Sequence, residues 1–305
     1  MCLYKTVDAC QKKEKIIMIR LICDVCADIP VEIAKVRNII MMPMTLSVNN
    51  SEQKYSAENF DAKEFYDGMR NGNICSTSQI NADSYINFFT PYLQNGDDII
   101  YVCLSSGLSG SYNNSLIAID ELKKEFTNCK IHSIDSLGAS LGEGLLVLKI
   151  AQKIKENCSF DDIVKYAEEI KHNVMLWFTV DDLKYLLQGG RVSKTSAIVG
   201  TLLNIKPVLQ CNAEGKLVPY QKVRGRKKAI KALVECMNEY GLDIDNQEIC
   251  ISHCDALEDA IILQNEISSI YPNCTFVIGQ IGAVIGSHSG PGTLALFFIG
   301  EKRFV

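Results

Sequence analysis

The stretch LSSGLSGSYNNS (104–115) holds five serines, two glycines and two asparagines in twelve residues. It follows IIYVC (99–103), an apolar and β-branched run that predicts a buried strand. After it, Leu116, Ile119, Leu122 and Phe126 recur at helical spacing. A polar, glycine-punctuated turn between a strand and a helix start predicts an anion site, because the first N–H groups of a helix lack intrahelical partners and the dipole favours negative charge there. The serines can either hold that anion or attack it.

Attack calls for a base. GSHSG (286–290) and SGLSG (106–110) both approach the G-x-S-x-G pattern, yet the first centres on His288 and the second lacks the spacing. A serine, a histidine and an acid can still meet in space, since a triad is defined by geometry and not by chain order. An acyl hydrolase or transferase using Ser109 and His288 is therefore the enzymatic alternative. The flanking glycines of His288 permit close approach of another group, and imidazole can donate to a carboxylate. Nucleotide chemistry has no support: G-x-x-x-x-G-K-[ST] is absent, and GEGLLV (142–147) lacks the third glycine of the dinucleotide fingerprint. Cys23 and Cys26 make one C-x-x-C without a second pair, so the expectation is no metal and no cofactor. QGGRVSK (188–194) and KVRGRKKA (222–229) are basic segments in an acidic chain, the second just ahead of a helix, where the dipole does not favour cations; this hints at a docking surface.

The chain around these residues has 305 positions, 47% hydrophobic and 22% charged, with a net charge of −5. That balance gives no global positive field for nucleic acid or anionic membrane. No apolar run reaches the ~18 residues of a membrane span, and no secretory leader pattern is present. With thirteen scattered cysteines, the expectation is reduced thiols in a cytoplasm.

Strand and helix patterns alternate from IIMIRLICD (16–24) onward, each strand ending in a polar turn, which predicts a parallel, helix-covered sheet with ligands at the strands' carboxyl ends. Three Ser- or Asp-bearing turns fall there: 24–28, 105–109 and 135–136. NIIMMPMTLSV (38–48) reads as one strand, CSTSQINADSYINFF (75–89) as a turn leading into a helix, and His288 as lying in a turn between two strands. The expected organisation is an N-terminal extension over 1–15, an α/β domain over 16–173 and a smaller α+β domain over 174–305.

Taken together, the motifs resemble the DegV family of bacterial fatty-acid-binding proteins, which act as the lipid-presenting subunit of fatty acid kinase. The resemblance runs from about Ile16 to the end. It rests on DVCAD (24–28), STSQI (76–80), SSGLSGSY (105–112), DS (135–136), YLLQGGRVSK (185–194) with NIKPVL (204–209), KVRGRKKA and GSHSGPGTLALFF (286–298). It implies a two-domain DegV-like α/β fold closing on one long-chain fatty acid. By motif, Thr77, Ser78, Ser109 and His288 would surround the carboxylate, with Ser105, Ser106 and Ser289 further candidates. A separate ATP-dependent kinase would form the acyl phosphate, docking at Arg224 and Arg226, with Arg191 shaping the domain junction or that surface. At about 0.8 kcal/mol per buried methylene, about fifteen methylenes would supply ~12 kcal/mol before entropy costs, so the tail would dominate affinity. The chain departs from the family pattern twice. Val25 and Cys26 replace a Ser-Thr pair, and Ile80 stands where proline is usual, which should loosen that turn.

Overall fold

The computed structural model describes residues 18–193 and 204–303. The expected N-terminal extension and Lys194 of the YLLQGGRVSK stretch lie outside the described residues. The first sheet is parallel, in the order β2 (Ile39–Met42), β1 (Ile19–Asp24), β6 (Asp98–Cys103), β7 (Ile131–Asp135). Its strands bury alternate residues in opposite directions. Ile22, Tyr101 and Cys103 face α3 (Ala82–Gln94) and α4 (Ser111–Glu125). Leu21, Cys23, Ile100 and Val102 face α5 (Leu141–Lys155) and α6 (Phe160–Ile170). The strand order reverses between β1 and β6, and such a switch point opens a crevice at the carboxyl ends.

The second large sheet is mixed, in the order β10 (Leu217–Arg224), β9 (Ile205–Cys211), β8 (Val174–Thr179), β13 (Leu294–Ile299), β11 (Glu248–His253), β12 (Thr275–Gln280). Its outer face carries α8 (Arg226–Tyr240) and α9 (Leu257–Ile270) over Trp177, Leu294, Leu296 and Phe298. Its inner face packs on the same α5 that covers the first sheet. The sequence LGEGLLVLKIA, apolar on nearly every face, explains why this helix is buried all round.

A small antiparallel sheet of β4 (Ser51–Tyr55), β3 (Met44–Val48) and β5 (Cys75–Ser78) corrects two expectations. NIIMMPMTLSV is broken at Pro43 into β2 and β3, which join different sheets; proline cannot donate to a ladder. The STS of CSTSQ is a strand, and the helix begins only after Asn81, whose side chain accepts from Ser84 N. A third correction concerns His288, which lies in the last turn of α10 (Ala283–Ser289). Ser287 and Ser289 return their hydroxyls to the carbonyls of Ala283 and Ile285, and Gly290, at φ 81°, ends the helix.

Gly144 of α5 sets the spacing between that helix and the β1 turn, since a Cβ there would come 2.6 Å from the Ala27 carbonyl oxygen. Glycine to alanine inside a helix ordinarily stabilises by ~1 kcal/mol. Here Gly144→Ala should instead destabilise by about 1–3 kcal/mol, read by urea denaturation. Stabilisation would contradict this packing.

Candidate functional site

The turn after β1 is built on two aspartates. Asp24 accepts from Cys26 N and from Leu104 N, both at 2.9 Å, so it fixes the turn and the start of the serine loop together. Asp28 accepts from Gly282 N at 2.9 Å, at the N-cap of α10. Burial pushes the Asp28 carboxyl up to about 7, opposed by its hydrogen bonds to Ser140 and Gly282. Asp135, at the end of β7, accepts from Ser106 N and Leu137 N.

The serine loop spends its amides internally. Gly107 N donates to Ser105 Oγ, Leu108 N and Ser109 N to the Ser105 carbonyl, and Ser111 N to Ser109 Oγ. The expected row of free amide donors is thus largely consumed in shaping the loop. Ser109 and Gly110 face an apolar cavity of about 360 Å³. Ser109 Oγ lies 3.0 Å from Ser111 Oγ, which accepts from Ile80 N at 3.1 Å. When Ser111 donates along this chain, the Ser109 proton is left for a ligand. The donor in use is the amide that a proline at position 80 would lack, so this departure adds a hydrogen bond where a looser turn was expected.

Also on the cavity, His288 Nε2 lies 2.8 Å from Thr77 Oγ1. Burial, then the nearby Arg191 guanidinium, pushes the imidazole down to about 4, so it is neutral near pH 7. Gly189 makes room for it: a Cβ at that position would sit 2.3 Å from His288 Nδ1. Arg191 donates to the Gly189 carbonyl at 2.6 Å and lines the cavity. The remaining wall is mainly apolar: Leu176, Phe178, Ala295 and Phe297 from the mixed sheet, with Met44, Leu104 and Val284 among those closing over them. Cys26, in place of a hydroxyl residue, is buried behind this wall with Sγ 3.3 Å from Met44 Sδ. Cys23 is also buried and free, and among the described residues no group of three His, Cys, Asp or Glu is placed to hold a metal.

Of the residues singled out in the sequence, Thr77, Ser109, His288 and Ser289 come together on the cavity, Ser289 with its hydroxyl already donated to Ile285. Three do not line it. Ser78 is exposed, one residue out of phase with Thr77 on β5; Ser106 is exposed; buried Ser105 donates to the Gly215 carbonyl of the β9–β10 turn at 2.8 Å. Arg191 belongs to the cavity wall. Arg226 is turned inward to Asp259 at 2.9 Å and Asp181 at 3.7 Å, while Arg224 is exposed. Gln79 and Gly189 were not singled out, although Gln79 stood inside the STSQI match and Gly189 inside YLLQGGRVSK; an apolar lining was expected, but which residues form it carries no signal apart from the fold.

Comparison with known proteins agrees with this architecture. Residues 18–301 match the model of a family described as uncharacterised proteins of the DegV family. The chain belongs to the DegV family. A DegV domain-containing protein of Clostridium perfringens is 40% identical over 284 residues, 92% of this chain and 97% of that one. A solved structure of DegV from Bacillus subtilis, described as a fatty acid binding protein, is 31% identical with a TM-score of 0.80, covering 93% of this chain and 100% of that one. A DegV lipid binding protein from Thermotoga maritima is 27% identical with a TM-score of 0.83, covering 94% and 100%. The fold of this DegV-family chain is the one those structures share. None of its described helices is long and apolar enough to cross a membrane.

In the empty protein, His288 should titrate by NMR with a midpoint of about 4. Since this lies below the ordinary 6.5, the unfolded chain takes up the proton first as pH falls, so the group removes stability between about pH 6.5 and 4 and none above. A bound carboxylate should raise the midpoint, because an anion favours imidazolium. A midpoint near 6.5 in the empty protein would refute this burial. Gly189→Ala should shift the His288 ring resonances, its Cβ displacing the imidazole.

Proposed function

We propose that this protein binds one long-chain fatty acid in the cavity and presents its carboxylate to an ATP-dependent kinase that forms the acyl phosphate. The observation that carries the reading is a mainly apolar cavity whose lining also holds the Thr77–His288 pair with the Arg191 charge near it, and Ser109. An amphiphile with one anionic head fits that division. The tail supplies affinity at about 0.8 kcal/mol per buried methylene. Ser109 and His288 supply orientation, and Arg191 offsets the charge in a partly desolvated setting. The descriptions of the Bacillus and Thermotoga relatives as fatty acid and lipid binding proteins support the same reading. Exposed Arg224 is the candidate contact for the kinase, and the resemblance of KVRGRKKA to the family motif supports that assignment.

The hydrolase alternative would need His288 to take the Ser109 proton. In this geometry His288 Nε2 is paired with Thr77, and Ser109 with Ser111. The protein is therefore read as a carrier in which hydroxyls hold the head group and attack nothing.

An organic extract of the purified protein should contain a long-chain fatty acid near one equivalent by mass spectrometry. Losing one hydrogen bond to a charged group costs ~1.5–3 kcal/mol, so Ser109→Ala should weaken fatty-acid affinity by about tenfold or more. His288→Ala should do the same. No lipid in the extract and no uptake of added fatty acid would end the carrier reading, and turnover of an activated ester abolished by Ser109→Ala would replace it with the hydrolase. For docking, Arg224→Glu should abolish acyl-phosphate formation by a partner kinase while fatty-acid content stays unchanged. Normal formation with that variant would remove Arg224 from the docking surface.

A further inference from the structure

The cavity floor has a direction. Thr293 donates to the carbonyls of Ser289 and Gly290, so it sits beside the helix that carries His288. From there Thr293, Ala295 and Phe297 line the cavity in turn, while Leu294, Leu296 and Phe298 face the core under α8 and α9. Four residues of strand cover about 13 Å, which puts Phe297 well down the floor from the polar end. Phe297 pairs in register with Leu176 of β8, also on the cavity. Both rest on one point of α5. A Cβ built on Gly142 would stand 3.0 Å from Phe297 Cδ1 and 3.1 Å from Leu176 Cδ1. Carbon atoms pack best at about 3.5–4.0 Å, so a side chain at 142 pushes that pair away from the helix by a few tenths of an ångström. The space on their other side is the cavity.

We propose that Gly142, by letting Phe297 and Leu176 seat against the central helix, sets how long an acyl chain the protein accepts. Gly142 touches no ligand; it is a specificity-determining position acting through Phe297. This rests on the fatty-acid reading above and adds the selection rule to it. Each methylene that no longer fits forfeits about a fourfold preference.

The test is competitive loading of the delipidated full chain with an equimolar series of saturated fatty acids of twelve to eighteen carbons, read by mass spectrometry. In Gly142→Ala the ratio of the longest chain to the shortest should fall, by up to about the fourfold that one methylene is worth. In Phe297→Leu it should rise, and the double variant should return towards the parent. Phe298→Leu, on the opposite face of β13, should leave the ratio unchanged. If Gly142→Ala and Phe297→Leu both load fatty acid with the parent's ratio, the inference is overturned while the carrier reading stands. If Gly142→Ala does not fold, the contrast between Phe297→Leu and Phe298→Leu decides. If the parent loads no member of the series, the carrier reading fails first and takes this inference with it.

Discussion

A buried turn must find acceptors for its amides, and in this protein three carboxylates at the ends of parallel strands supply them. Asp24 takes Leu104 N, Asp135 takes Ser106 N and Asp28 takes Gly282 N. An unpaired buried amide costs ~1–3 kcal/mol, so these bonds leave the serine loop and the start of α10 few alternatives. Burying the carboxylates has its own cost. Asp24 and Asp28 are both pushed above the usual carboxylate range by burial, and the amide bonds pull the other way. The serine loop and the start of α10 are therefore set by aspartates outside the cavity lining.

The second constraint is the shared helix. With α5 buried between the two large sheets, the serine loop of one sheet and the floor of the other are held at a fixed separation by the same core. The cavity exists where that separation exceeds what side chains fill. Its polar lining draws Thr77 from the small sheet, Ser109 from the parallel sheet's loop, His288 from α10 and Arg191 from the turn after Gly190. No single segment could present those four groups to one cavity.

Much of this was legible in the residues. Strand and helix alternation marked the parallel sheet, and the turns at 24–28, 105–109 and 135–136 lie at its carboxyl ends as the pattern required. Thr77, Ser109 and His288, picked out by the motifs of the resemblance, line one cavity. What escaped notice depends on contacts distant in sequence. The strand SEQKY (51–55) is polar because it is an exposed edge, so it carried no alternation. The helix around His288 was hidden by its glycines and serines, and the residue before its first turn, Gly282, gives its amide to Asp28, over 250 residues earlier. Ser105 looked like a ligand and is a tether to Gly215, a difference that only the folded neighbour reveals.

Ile80 shows how an apparent loss can change the character of a site. A proline ring would hold that turn by covalent geometry, an order that neither heat nor denaturant relaxes. Here the turn is held by an amide proton given to Ser111, and through it to Ser109. Such order is enthalpic and reversible. The turn that carries Ser109 is thus tied to the turn after β5 by hydrogen bonds that can open and close again, where a ring would have fixed it for good.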